Sequence, residues 1–209
     1  MGMTMAEKVL ARASGRREVK PGEYVTAKVD QVMSQEAFAE VYRVLKEEGV
    51  ERVWDPNKIA ILLDHYVPAP TIAHAEVHKL IREGVKKLGI ESWYDMRAGI
   101  CHQIMGEKGH IIPGELILGT DSHSTTYGAF GAAGSGIGVS EMAYVLATGE
   151  LWMRVPSTIK FVIKGDLPER VTSKDIIFRN EGETVMLTKI GKFCINMASN
   201  VTSIDNLHL

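Results

Sequence analysis

Two short apolar runs constrain the fold of this 209-residue chain more than any other feature. They occupy residues 58–63 (KIAILL) and 115–118 (ELIL), and neither alternates apolar with polar positions. Such runs are typical of strands in a parallel sheet, because helices bury both of its faces. Segments with helical periodicity follow at about 71–88 and 140–150. This alternation predicts an α/β layered domain with a mostly parallel sheet.

The N-terminal part of the chain continues this alternation. Thr4 and Glu7 have the spacing of a capping box, so a short helix should begin there. Residues 25–32 predict a single strand. Ser34 is the expected N-cap of the next helix, and Gly49 is its expected end.

The C-terminal part loses the regular pattern. Further strands are expected near residues 93–94 and over 158–164. Beyond residue 177 neither helical nor strand periodicity persists. We therefore expect one α/β domain over residues 1–177 and a divergent tail over residues 178–209.

Charge and cysteine content limit the classes of partner. The chain has 24 basic and 26 acidic residues, so it has no basic excess to neutralise nucleic-acid phosphates. No apolar run reaches the roughly 18 residues that span a bilayer, and the N-terminus does not resemble a signal peptide. Cys101 and Cys194 are too few for a disulfide framework. We expect a cytoplasmic protein with no nucleic-acid or membrane partner.

Asp and His residues follow both apolar runs. Asp64 and His65 come directly after the first run, and Asp121 and His123 come shortly after the second. Since ligands bind beyond the carboxyl ends of strands in open α/β sheets, both pairs should face one crevice. A carboxylate fixes the tautomer of its imidazole partner and raises its basicity. His102, which lies between the two pairs in sequence, is a candidate third histidine.

Simpler interpretations remain open at this point. Polar residues occur at strand ends simply because loops are polar, although two equivalent pairs favour function. His74 and His78 share a helix face that we expect to be solvated, since the sequence lacks the glutamate of an HExxH motif. The glycine-rich run at 128–138 lacks both GxGxxG spacing and a P-loop lysine. It favours close approach of backbone to backbone, or to a small anion, beside residues 121–123.

These residues resemble a known family. Three motifs are similar to the N-terminal part of the aconitase family. They are the DH of ILLDHYVPAP, the GICHQ at 99–103 and the DSH at 121–123, which precedes the glycine-rich run. The similarity is greatest to the large-subunit group of 3-isopropylmalate dehydratase and homoaconitase, and it covers residues 1–177. The set is specific because all three motifs occur in the family's order.

The resemblance implies a hydro-lyase that removes and adds water on hydroxy-di- or tricarboxylic acids. In the family, a 4Fe-4S cluster held by three cysteines acts as a Lewis acid on the substrate. The family's catalytic positions correspond here to Asp64, His65, His102, Asp121 and His123. Its substrate-contacting positions correspond to Ser122 and to Ser124, where the family commonly has threonine.

The sequence also departs from the family. A few residues are missing after Val32, and neither Cys101 nor Cys194 matches a cluster ligand. The resemblance thus implies a cluster for the family and no metal ligand in this chain. It further implies a small-subunit partner and a small hydroxy-carboxylic acid substrate. We expect a truncated large subunit that is inactive alone.

Two other functions stay open. The first is a non-catalytic module that binds carboxylates or assembles with a small subunit. The second is a mononuclear metal hydrolase that uses Asp64, His65, His102, Asp121 and His123.

Overall fold

The computed structural model describes residues 2–158 and 169–171. In chain order the helices and strands are α1 (Met5–Ala13), β1 (Tyr24–Lys28), β2 (Gln31–Ser34), α2 (Phe38–Glu47), β3 (Ile59–Leu62), α3 (Ile72–Leu88), β4 (Ser92–Tyr94), α4 (Cys101–Glu107), β5 (Leu116–Gly119), β6 (Ala133–Gly136), α5 (Val139–Thr148) and β7 (Glu150–Arg154). A 3-10 segment, Ser122–Phe130, connects β5 to β6. Within these residues, no helix is both long and apolar enough to cross a membrane.

A five-stranded parallel sheet organises the domain. Its strand order is β4-β3-β2-β5-β6, and every neighbouring pair is parallel. The predicted α/β class with a mostly parallel sheet is therefore confirmed. A separate two-stranded antiparallel sheet joins β1 to β7.

The central strands supply two hydrophobic cores, one on each face of the sheet. Ile59 and Ile61 of β3 pack with α2, α3 and α5 on one face. Ala60 and Leu62 of the same strand pack with α4 and the 3-10 segment on the other. Because successive side chains of a strand point to opposite faces, both sets of positions must be apolar. This explains why the run at 58–63 does not alternate.

Two predictions near the N-terminus are wrong. Residues 25–32 form parts of two strands, because the chain leaves the small sheet after Lys28 and enters the large sheet at Gln31. Ser34 is not an N-cap, since it lies inside β2 and α2 begins later, after Ala37, without a side-chain cap. The capping box of α1 is confirmed: the Thr4 side chain accepts a hydrogen bond from the amide of Glu7.

Three elements were missed by the sequence patterns: α4, β6 and β7. Of these, β6 lies inside the glycine-rich run, where glycine replaces the apolar residues that usually mark a strand. The predicted strand at 158–164 and the proposed tail at 178–209 lie, apart from Thr158, outside the described residues.

The glycines of β6 let the backbone of the preceding segment lie directly on the strand. A Cβ at Gly134 would overlap the backbone carbonyl of Ser124, and one at Gly136 would come within 2.8 Å of the carbonyl oxygen of Asp121. The expected close approach of backbone to backbone beside residues 121–123 is thus present. This close approach places the backbone of Asp121 against β6, the edge strand of the sheet.

Truncating β3 should destabilise the fold. Ile61 is fully buried between the sheet and its helices, so Ile61→Ala should lower the free energy of unfolding by about 2–5 kcal/mol. Ile72, which is 84 % exposed, provides the control, and Ile72→Ala should change it by less than about 0.5 kcal/mol. Urea denaturation followed by circular dichroism measures both, and equal losses would contradict the two-core arrangement.

A methyl group at Gly134 should push the 3-10 segment away from β6. We expect Gly134→Ala to cost roughly 1–3 kcal/mol of stability, because the obstructing atoms belong to backbone that cannot rotate aside. Gly2→Ala is the matched control, since no atom lies within 4 Å of the added Cβ. Thermal unfolding of the two variants measures the difference. A Gly134→Ala protein as stable as the control would show that the close approach does not constrain the segment.

Candidate active site

The candidate site lies where three neighbouring strands end. Asp64 and His65 follow β3, Glu36 follows β2, and Asp121 follows β5. Because these strands are parallel neighbours, their carboxyl ends meet at one edge of the sheet. Both predicted Asp/His pairs are therefore brought together.

Asp64 links His65 to the first turn of α4. Its Oδ1 lies 2.6 Å from Nδ1 of His65, and its Oδ2 accepts the backbone amide of Cys101 at 2.6 Å. On its other side, Nε2 of His65 is 3.6 Å from Oδ2 of Asp121. The His65 imidazole thus lies between two carboxylates that follow different strands.

Asp121 binds two further histidines. Its Oδ1 lies 2.9 Å from Nε2 of His102, and it accepts the backbone amide of His123 at 2.8 Å. The same oxygen is 3.1 Å from Nδ1 of His123. The hydroxyl of Tyr127 is 3.2 Å from Nδ1 of His102. In the tautomer whose Nε2 carries the proton and donates it to the carboxylate, Nδ1 accepts a hydrogen bond from the Tyr127 hydroxyl.

The carboxylates shift the titration of their partners. Burial opposes charge on His65, but the hydrogen bond and charge of Asp64, with the charges of Glu36 and Asp121, raise its pKa above the ordinary value. Burial would raise the pKa of Asp121, but hydrogen bonds from His123 and His102 lower it overall. His65 therefore favours its charged form to higher pH than a free imidazole, and Asp121 remains ionised to lower pH.

The three imidazoles differ in their exposure to solvent. His123 is the most open, with 81 % of its side chain exposed, and the Ser122 hydroxyl lies 3.4 Å from its Nδ1. Ser124, in contrast, is fully buried beneath the site, next to Gly119 and Gly134. The structure thus places Ser122 at the open surface of the site and Ser124 under it.

The sequence patterns missed Glu36 and Tyr127. Glu36 follows β2 as Asp64 follows β3, so a correct strand end at Ser34 would have indicated it. Its Oε1 accepts the backbone amides of His65 and Tyr66, each at 2.9 Å. No comparable signal marks Tyr127, which the 3-10 segment brings beneath His102.

The expectation of a solvated histidine face on α3 is wrong for His78. His78 is 2 % exposed, and its Nε2 lies 3.8 Å from Oε1 of Glu36. His110 is half-buried with Nε2 2.6 Å from the Tyr94 hydroxyl, and burial lowers its pKa. Neither lies on an open surface.

Two triplets have the spacing that a metal ion could bridge. The ligand atoms of His102, Asp121 and His123 lie within 4.8 Å of one another, and so do those of the triplet formed by Glu36, Asp64 and His65. Hydrogen bonds to the carboxylates account for the shortest contacts in both triplets. The spacing alone therefore does not require a metal.

Cys101 does not fit a cluster ligand. It is 1 % exposed within the core under α4, and burial, followed by the hydrogen bond and charge of Asp64, raises the pKa of its thiol. A cluster ligand must be a thiolate, which these surroundings disfavour. Cys194 lies outside the described residues.

Comparison with known proteins gives one consistent family. The model of the aconitase family (aconitate hydratase) matches residues 7–194. A 3-isopropylmalate dehydratase large subunit 1 of Methanopyrus kandleri is 50 % identical over 184 residues, which cover 88 % of this chain and 44 % of that protein. The corresponding large subunit of Aquifex aeolicus is 45 % identical over 184 residues, covering 88 % of this chain and 43 % of its own length.

The same similarity extends to a longer alignment. A large subunit of a Sulfurihydrogenibium species is 40 % identical over 200 residues, or 95 % of this chain and 44 % of that protein. The chain therefore spans less than half the length of the relatives it matches. A family model that covers most of the chain nevertheless shows that this protein belongs to the aconitase family.

Proposed function

We propose that this chain supplies the histidines and their carboxylate partners in a hydro-lyase active site. The enzyme would act on a hydroxy-di- or tricarboxylic acid. The relatives are named 3-isopropylmalate dehydratase large subunits, so 3-isopropylmalate is the first substrate to test. The observation that carries the proposal is the convergence of both Asp/His pairs, with His65 lying between Asp64 and Asp121.

Loss of water requires a proton on the departing hydroxyl. His65, whose pKa is raised by the hydrogen bond and charge of Asp64 and by the charges of Glu36 and Asp121, is the group we assign to donate this proton. His123 projects into solvent from Asp121 and can contact the hydroxyl with Ser122 beside it. Asp64 and Asp121 keep the imidazoles oriented while the proton moves. We assign Ser124 a supporting role under the loop, since its side chain is buried.

The described residues supply only part of what this reaction requires. The family's 4Fe-4S cluster would bind the substrate hydroxyl, but Cys101 does not fit as its ligand, so we derive no step through a cluster. The relatives' names specify a large subunit, and we propose that this chain likewise meets a small subunit. A cytoplasmic location accords with this proposal.

A second candidate is carboxylate binding without chemistry. It is favoured by the same observation on Cys101, the one cysteine within the described residues. Turnover decides between the two: water loss from 3-isopropylmalate, followed by NMR with and without a dehydratase small subunit, supports the hydro-lyase. Binding without turnover in either condition supports the binding module. A metal hydrolase would instead require stoichiometric zinc or manganese that His102→Ala removes.

Binding of 3-isopropylmalate to the chain tests the site directly. Isothermal titration calorimetry should detect binding, and His123→Ala should weaken it about tenfold, the equivalent of roughly 1.4 kcal/mol. Lys79→Ala is the control, because this exposed cation pairs with Glu76 on α3. Equal affinities of the His123 variant and the wild type would exclude His123 from the binding site.

The pH dependence of binding should follow His65. Charged His65 attracts the anionic substrate, so affinity should fall as the pH rises through the raised pKa of His65, above about 6.5. Substrate carboxylates are fully ionised in this range. Asp64→Asn removes the negative charge and leaves at most a neutral hydrogen bond to His65, so this pKa should drop and the fall should begin at lower pH. Calorimetry between pH 6 and 9 measures both curves, and coincident curves would exclude the Asp64–His65 pair as the cause.

A further inference from the structure

Glu36 is a buried carboxylate that the proposed chemistry does not use. Only 4 % of its side chain is exposed. Its Oε1 accepts the backbone amides of two consecutive residues, His65 and Tyr66, at 2.9 Å each. One oxygen of Glu36 therefore holds the turn that carries the His65 imidazole.

The carboxylate of Glu36 also faces two imidazoles without a hydrogen bond to either. Oε2 of Glu36 lies 3.7 Å from Nδ1 of His65, and Nε2 of His78 lies 3.8 Å from Oε1. Neither Oε2 nor the His78 Nε2 has a hydrogen-bond partner among the described residues. An ionised group is costly to bury unless other groups compensate it. Two amide donors and two nearby imidazoles provide that compensation.

The charged groups that face His65 and Glu36 come from two further turns and from α3. Asp64 and Asp121 face His65 in addition to Glu36, and they approach it from the turns after β3 and β5. His78, on α3, faces Glu36 and Asp95. Glu36 thus lies between His78 of α3 and the turn that carries His65.

We propose that Glu36, backed by His78, is a positioning residue for His65: its buried carboxylate fixes the Asp64–His65 turn and adds a third negative charge around the imidazole. The inference rests on the proposed function only for the proton-transfer role of His65. The placement of the turn and the charge around the imidazole are properties of the chain without substrate.

Glu36→Gln separates the charge from the hydrogen bonds. Glutamine keeps an oxygen that can accept both amides, so amide hydrogen exchange at His65 and Tyr66 should remain slow. The titration midpoint of His65 should fall by roughly 0.5–1 pH unit, the size of one charge interaction at about 4 Å in water. Proton NMR in EDTA-treated buffer measures this midpoint, with the resonance assigned by its loss in His65→Gln.

A matched control and a second variant make this test decisive. Glu40→Gln removes an exposed carboxylate of α2, which pairs with Arg43, and should leave the His65 midpoint unchanged. Glu36→Asp keeps the charge but cannot reach both amides, so exchange at His65 and Tyr66 should accelerate at least about tenfold. An unchanged midpoint in Glu36→Gln, or unchanged exchange in Glu36→Asp, would overturn the proposal.

The contribution of His78 is tested by a double-mutant cycle. If His78 stabilises the buried carboxylate of Glu36, the losses of unfolding free energy in His78→Gln and Glu36→Gln should not add in the double variant. Strict additivity would remove His78 from the proposal. All these measurements use the chain without substrate. A failure to bind 3-isopropylmalate would therefore refute the proposed function without affecting these measurements. Conversely, an unchanged His65 midpoint would overturn the role of Glu36 without refuting the proposed function.

Discussion

The parallel pairing of β2 with both β3 and β5 is the constraint on which the site depends. Val32 of β2 is in register with Ile59 on one side and with Leu118 on the other. Three strands that start in register and run in one direction end together, so the residues that follow them converge. The carboxylates gather at this edge because apolar burial on both sheet faces fixes the strands beneath them.

The electrostatics of the edge follow from this convergence. Three carboxylates from three strands surround His65, and each was brought there by backbone geometry. Hydrogen bonds from backbone amides stabilise all three: Cys101 donates to Asp64, His123 donates to Asp121, and the 65–66 turn donates to Glu36. These amide donors thereby hold three mutually repelling carboxylates close together. The imidazoles between them can donate hydrogen bonds to the carboxylates.

Much of this arrangement could be predicted from the sequence, for identifiable reasons. The apolar runs of β3 and β5 are legible because both faces of each strand are buried, and their Asp/His endings mark the edge. Glu36 could not be found because β2 follows β1 after only two intervening residues, which hides the sheet change. The strand β6 was hidden because close backbone packing requires glycine at Gly134. Such requirements are set by tertiary contacts, which local periodicity does not record.

The first turn of α4 has a mechanical consequence. The amide of Cys101 holds Asp64, and the imidazole of the next residue, His102, holds Asp121. One rigid helix end is therefore fastened to both acids, while Ile104 and Met105 anchor the same helix in the core. Any tilt of α4 would strain both Asp/His pairs in the same movement. The positions of the two pairs are thus coupled through one helix, which the packing of Ile104 and Met105 holds in the core.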